Sequence, residues 1–301
     1  MPCGLSRGRR LTWVIASLLA SLTQTARNAA QRGLVSEAGT MGATAVRFVF
    51  GLPFALIFLA VIALLTGAPP VPAPEVWGWA VLGAAAQIGG TALMLRSMEV
   101  QGFGVATALI KTEPASLALL AAVFVAEPLG PLRLAAIALA VAGVLLASGT
   151  EWRRASRAAI LIGVASGALF GLSALAFRAG IVALPSGSAL IRASLMLCLT
   201  LGLQAAAFGF WFLHPGRAAF AAIRLRLRDS FSAGFLGAAA SQLWFLAFAL
   251  TPAANVRTLA LIEVPLAAVV SRRMFAETMT ARQLIGMGLI VAGIALLLRT
   301  V

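Results

Sequence analysis

The chain has 301 residues, 61% of them hydrophobic and only 11% charged, with a mean hydropathy of +1.00. A water-soluble domain is about one quarter charged, so an ordinary globular protein is excluded and the chain is expected to live in lipid. Its net charge of +14 and pI near 11.9 do not make it a nucleic-acid binder, because that function needs basic residues on a solvated face and the sequence holds no hydrophilic domain.

Two cysteines, Cys3 and Cys198, and one histidine, His214, leave no disulfide framework and no ligand spacing for a metal. No G-x-x-x-x-G-K-[ST] phosphate loop and no Ser/His/Asp constellation occurs. ATP-driven transport by this chain alone and enzymatic activity are therefore not expected, nor is a cofactor.

A membrane-crossing helix needs about 20 mostly apolar residues. Such stretches run over 11–32, 42–66, 76–96, 103–125 and 131–149, and again over 158–182, 188–213, 231–250, 254–274 and 281–298. The predicted fold is thus all-α and integral to the membrane, with ten transmembrane helices. Arg7, Arg9 and Arg10 ahead of an apolar run to Leu22 also fit a cleavable signal peptide, a reading the internal repeat described below argues against.

Along the first span Gln24, Asn28 and Gln31 follow i, i+4, i+7, with Arg27 on the same arc. A polar face of this kind cannot look at lipid. Residues 67–75 form a Pro-rich connector, Trp77 and Trp79 mark an interface, and Gln87 falls in the middle of the third span. Glu113 in the fourth span, with Lys111 nearby, and Glu263 in the ninth each lie about ten residues into their span, close to mid-bilayer.

In the sixth span Gly163, Gly167 and Gly171 make a groove for a neighbouring helix, while Phe170 and Phe177 set aromatic rings where the first span is polar. A polar wall facing an aromatic one suits an amphipathic organic solute; helix packing is the plainer role for both rings. Between the seventh and eighth spans, residues 214–230 carry Arg217, Arg224, Arg226 and Arg228 and read as an interfacial amphipathic segment. Gln242, Trp244 and Phe248 follow in the eighth span; the glutamines serve either a cavity lining or interhelical hydrogen bonds. Asn255 and Arg257 open the ninth span, which carries Glu263.

Markers recur at a constant offset: Glu113, Glu127 and Gly143 are matched 150 residues later by Glu263, Glu277 and Gly293. Arg32 and Arg47 correspond to Arg178 and Arg192, and the run ending at Gln87 to the run ending at Gln242. The chain therefore reads as two five-helix repeats, 11–149 and 158–299. An odd number of crossings makes the second repeat enter from the opposite side, so the repeats are inverted, the arrangement of secondary transporters with a mid-membrane site.

The acidic residue closing the fourth and ninth spans (Ala126-Glu127, Ala276-Glu277), the in-span prolines Pro114 and Pro265, and the glycines at Gly143-Val144 and Gly293-Ile294 resemble the EamA-type transporters of the drug/metabolite transporter superfamily. A glycine commonly precedes the acid in that family, where this chain has alanine. The resemblance covers nearly the whole chain. It implies a membrane exporter or exchanger of a small metabolite, with a cavity lined mainly by spans one, three, four, six, eight and nine. The chain is expected in the bacterial inner membrane, as a monomer or homodimer.

The residues expected to bind substrate or protons are Glu113, Glu263 and Lys111, with Gln24, Arg27, Asn28, Gln87, Gln242, Trp244, Phe170 and Phe177 around them. An ionised side chain at mid-bilayer costs roughly 2.5 to 3.5 kcal/mol, so each glutamate must find a partner, take a proton or face water. Either the carboxylates hold protons and cationic groups in a transport cycle, or each is locked in an ion pair and braces the wall; Lys111 is a counter-ion or an anion-binding group. A non-transporting membrane scaffold is the rival to a transporter.

Arginines are divided five to eleven between the two membrane sides, and eight to thirteen when span ends are included. The positive-inside rule then puts both termini outside, whereas the resemblance implies cytoplasmic termini.

Overall fold

The computed structural model describes residues 7–101, 108–126, 130–149, 156–266 and 280–300; of these, the side chains of 7, 9, 10, 28–37, 40, 95 and 98–101 lie outside the described set. Every regular element among the described residues is helical. They are α1 (Arg7–Val49), α2 (Gly51–Thr66), α3 (Pro74–Gln101), α4 (Glu113–Phe124), α5 (Pro131–Ala147), α6 (Arg157–Ala183), α7 (Ala189–Leu213), α8 (Arg217–Leu225), α9 (Leu227–Leu250), α10 (Ala253–Leu259), a 3-10 turn (Ala260–Ile262) and α11 (Ala281–Thr300).

Among the described residues six helices are long and apolar enough to cross a membrane: Met41–Thr66, Pro74–Met94, Arg157–Ala183, Ala189–Leu213, Leu227–Leu250 and Ala281–Thr300; Pro131–Ala147 is a shorter apolar helix. These correspond to the second, third, sixth, seventh, eighth, tenth and fifth expected spans. The first, fourth and ninth run partly through residues whose placement or side chains lie outside the described set. Leu64, Leu65, Val123 and Phe124 are 87%, 79%, 76% and 66% exposed, a distribution that water disfavours and lipid accepts.

Glycine and proline punctuate the helices as their backbones require. The first and second expected spans are joined without a loop, the helix changing course at Gly39 (φ 68°, ψ 171°), a conformation essentially reserved for glycine. Gly67 ends α2 at φ 100°, its N–H donating to the Ala63 carbonyl, and prolines 69, 70, 72 and 74 prevent the helix from resuming before α3. Pro131 opens α5, where its missing N–H is no loss. The eighth span starts at Leu227, earlier than the expected 231, because Asp229 pairs with Arg226 at 3.3 Å and lies in the first helical turn, where a carboxylate is favoured.

The residues fall into two compact units. The first comprises 1–10, 89–175 and 252–301. In it α5 and α11 approach until their backbones nearly touch: a Cβ on Gly143 would lie 2.6 Å from the Gly286 carbonyl oxygen, and one on Gly293 2.7 Å from that of Ala136. The glycine groove of α6 receives the fourth span, Gly163 facing Leu109, Gly167 facing Ile110 and Gly171 facing Leu117. The groove is used for packing inside the chain.

The second unit comprises 11–88 and 176–251. Here α2, α7 and α9 pack together, with edge-to-face rings of Phe50, Phe54 and Phe58 against Phe231 and Phe235. Gly234 lies against Phe50, where a Cβ would come within 2.6 Å of backbone. The short helix α8 rests on Gly42 through Ala219 and the fully buried Ile223.

Candidate functional site

In the first unit the fourth and ninth spans are both interrupted at their charged residues. The fourth is helical over 108–110, turns at Lys111 and Thr112, and resumes as α4 at Glu113. The Thr112 hydroxyl donates to the Leu109 carbonyl at 2.7 Å, closing that turn. The ninth runs through α10, tightens into the 3-10 turn 260–262 and resumes at Glu263. Buried Pro114 and Pro265 account for both breaks: a proline ring collides with the carbonyl four residues earlier and supplies no N–H. Those carbonyls belong to Ile110 and Leu261.

The breaks bring four charges into cross-paired contact. Lys111 forms an ion pair with Glu263, each side chain 24% exposed. Arg257 Nε lies 2.9 Å from Glu113 Oε1, these side chains being 15% exposed. Each carboxylate thus takes its cation from the other broken span, and the four together carry no net charge. Arg257 and Glu263 belong to the same span but are six residues apart, with the 3-10 turn 260–262 between them. Glu113 also begins α4, where the exposed N–H groups of a helix start favour a carboxylate. Gly167 fixes its position: a Cβ there would lie 3.5 Å from the Glu113 nitrogen and 3.0 Å from the Ile110 oxygen.

The second unit holds a separate set of polar contacts. Trp244 Nε1 donates to Gln24 Oε1 at 3.3 Å, Gln204 Nε2 to Gln87 Oε1 at 2.6 Å, and Gln242 Nε2 to Ser194 Oγ at 2.9 Å. Arg27 is 8% exposed, and its stem and that of Arg47 both lie against Gly237. The Arg47 guanidinium lies 4.3 Å over the Phe48 ring, which in turn stacks on Phe208. Arg178 donates to the carbonyls of Phe248 and Thr251 at 2.7 and 2.8 Å, closing the C-terminal end of α9.

Lys111, Glu113 and Glu263 thus share one cluster, and Gln24, Arg27, Gln87, Gln242 and Trp244 lie in the other unit. Phe177 is 1% exposed, its ring 4.7 Å from that of Phe245 and pressed on Gly83, which is an interior packing position. Phe170 belongs to the first unit and packs on Gly90. The side chain of Asn28 and the residues Glu127 and Glu277 lie outside the described residues. Ser194 and Gln204, the hydrogen-bond partners of Gln242 and Gln87, are missing from the sequence reading. The signal in the sequence is that both are polar residues inside the apolar seventh span, and the structure buries them.

Comparison with known proteins follows the same lines. Residues 11–149 match the model of the EamA-like transporter family. No curated protein matches the chain. A solved crystal structure superposes with a TM-score of 0.67 over 96% of this chain and 97% of its own, at 16% identity; at that identity the likeness concerns the fold, and it extends through the second half of the sequence. Over residues 11–149, then, the chain is similar to the EamA-like transporter family.

Proposed function

We propose that the protein is a secondary active transporter that exports or exchanges a small organic solute, amino-acid-like or amphipathic, in exchange for protons. Its ten spans form two inverted five-helix repeats, and access alternates as the repeats rock about a mid-membrane site. The observation that carries this reading is the neutral quartet Lys111, Glu113, Arg257 and Glu263 at two helix breaks. At rest each carboxylate is held by a cation from the other broken span. A proton on one carboxylate, or a charged group of the solute, takes the place of that cation and releases one broken span from the other. Interrupted helices suit such a step, since backbone groups freed at a break line a site and not lipid. On this reading Gln24, Arg27, Asn28, Gln87, Gln242, Trp244 and Phe170 are further solute-contacting residues, while Phe177 serves packing.

The same ion pairs also suit a rigid brace, the role they would have in a membrane scaffold. Purified protein in liposomes distinguishes the two. A thermal-shift screen of amino acids, nucleosides, sugars and organic cations first finds the ligand, since binding stabilises the folded state by mass action. Transport of that ligand is then driven by an imposed pH gradient. Glu113→Gln and Glu263→Gln are each expected to abolish it while the protein still folds. Full pH-dependent transport in both variants would overturn the carboxylate mechanism, and absence of any transport by the parent protein would favour the scaffold.

A further inference from the structure

The segment that joins α7 to α9 has a chemistry the transport reading leaves unused. Four arginines, Arg217, Arg224, Arg226 and Arg228, stand against a single carboxylate, Asp229. Asp229 is engaged by Arg226, and Arg217 turns back to donate to the Leu213 carbonyl at 2.7 Å. Arg224 and Arg228 are exposed and have no carboxylate partner among the described residues. Interleaved with them are large apolar side chains equally in the open: Leu225 is 85% exposed, Leu227 47% and Phe220 39%. A solvated loop does not alternate exposed leucine with exposed arginine; a surface that meets hydrocarbon and phosphate together does.

The depth of the segment is marked independently. At the end of α7, Trp211 packs against Phe208 and Phe212, Phe212 against Phe220 of α8, and Phe210 against His214. Aromatic side chains gather at the level of the headgroups, and here they bind the end of a membrane-length helix to the start of α8. The opposite side of α8 is already occupied, Ala219 and Ile223 resting on Gly42. Its remaining surface therefore lies along the boundary, with its arginines at phosphate level.

We propose that α8 and the Arg224–Arg228 stretch form a docking surface for anionic phospholipid headgroups of the leaflet on that side. The apolar side chains enter the acyl boundary, while Arg224 and Arg228 each face lipid phosphate, which guanidinium groups bind in a two-pronged fashion. The surface is separate from the carboxylate quartet, so it sets the lipid the protein prefers and not the solute it carries.

Trp211 provides the readout. The full-length protein is reconstituted in bilayers of equal phosphatidylglycerol and phosphatidylcholine, with bromine on one lipid or the other. Quenching assigned to Trp211 is obtained by difference from Trp211→Phe. Brominated phosphatidylglycerol is expected to quench several-fold more than brominated phosphatidylcholine. In the double variant Arg224→Gln/Arg228→Gln the ratio is expected to fall to near one, and Arg224→Lys/Arg228→Lys to keep most of the preference. Raising salt from 0.05 to 0.5 M, roughly a threefold shortening of the screening length, should reduce the ratio partway. Equal quenching by the two lipids in the parent protein would overturn the proposal, as would an unchanged ratio in the glutamine variant. Thermal unfolding of each variant shows whether it has folded; if the glutamine variant has not, Arg224→Gln alone takes its place under the same criteria.

Discussion

Replacing both members of the Arg257–Glu113 pair separates a brace from a working site. The charged atoms are 2.9 Å apart and the side chains 15% exposed. Unit charges about 4 Å apart attract by about 4 kcal/mol at an effective dielectric constant of about 20. Glutamine in place of Glu113 keeps an oxygen for Arg257 to donate to, worth about 1 kcal/mol, so a coupling energy of about 2–3 kcal/mol is expected between the two positions. Glu113→Gln and Arg257→Gln alone should each destabilise by about 3 kcal/mol, because each strands a buried charge. The double variant should then be destabilised by about 3–4 kcal/mol, little more than either single change and well short of their sum. The cycle is measured by equilibrium unfolding in mixed micelles, alongside transport in liposomes. Additive effects, with coupling below about 0.5 kcal/mol, would refute the pairing as an energetic unit. Full transport by the double variant would refute the assignment of Glu113 to the transport step, since only the brace would then have mattered.

The second pair, Lys111 with Glu263, is 24% exposed and should show a smaller coupling, about 1–2 kcal/mol, between the values for exposed and buried pairs; a Lys111→Leu/Glu263→Gln cycle measures it. Gly143→Ala would put a methyl 2.6 Å from the Gly286 oxygen and 2.7 Å from the Ile290 nitrogen. Backbone cannot rotate aside as a side chain does, so a loss of about 2–3 kcal/mol is expected in thermal unfolding. Phe177→Ala removes a ring that is 1% exposed and packed at a tilt against Phe245 and should cost about 3–5 kcal/mol; an effect confined to transport, with stability intact, would instead place this ring in the solute pathway. Trp244→Phe keeps the ring but removes the donor to Gln24, and a loss of about 1 kcal/mol is expected.

Much of this arrangement is legible in the residues. Hydropathy alone locates the long helices to within a few positions, because a run of apolar side chains has no other stable place than lipid or a core. Pro114 and Pro265 mark the two breaks, since the steric conflict they cause is local. Pairing is less accessible: that Arg257 meets Glu113 and Lys111 meets Glu263 depends on how two interrupted helices cross, which no spacing within either helix reveals. The fate of Phe170 and Phe177 shows the same limit. One helical face carries both, yet α6 passes from one compact unit to the other between Leu175 and Ala176. A shared face within a helix therefore does not imply a shared environment along its length. The start of α9 at Leu227 was missed because hydropathy discounts arginine and aspartate, while the hydrogen bonding of a helix start favours the aspartate.

The turn at Gly39 leaves the chain no slack. On its far side Ala45, Val46, Phe48 and Ala55 are buried, while Leu56, Ile57 and Val61 are about half exposed. With no loop to absorb an insertion, one residue added beside Gly39 would turn the following arm by about 100° about its axis, moving Ala55 to the exposed place of Leu56 and the bulkier Phe54 to the buried place of Ala55. The Pro-rich connector at 67–75 would take up the same insertion as extra length. Two adjacent junctions in one sequence thus tolerate change very differently, one read in helical phase and the other only in reach.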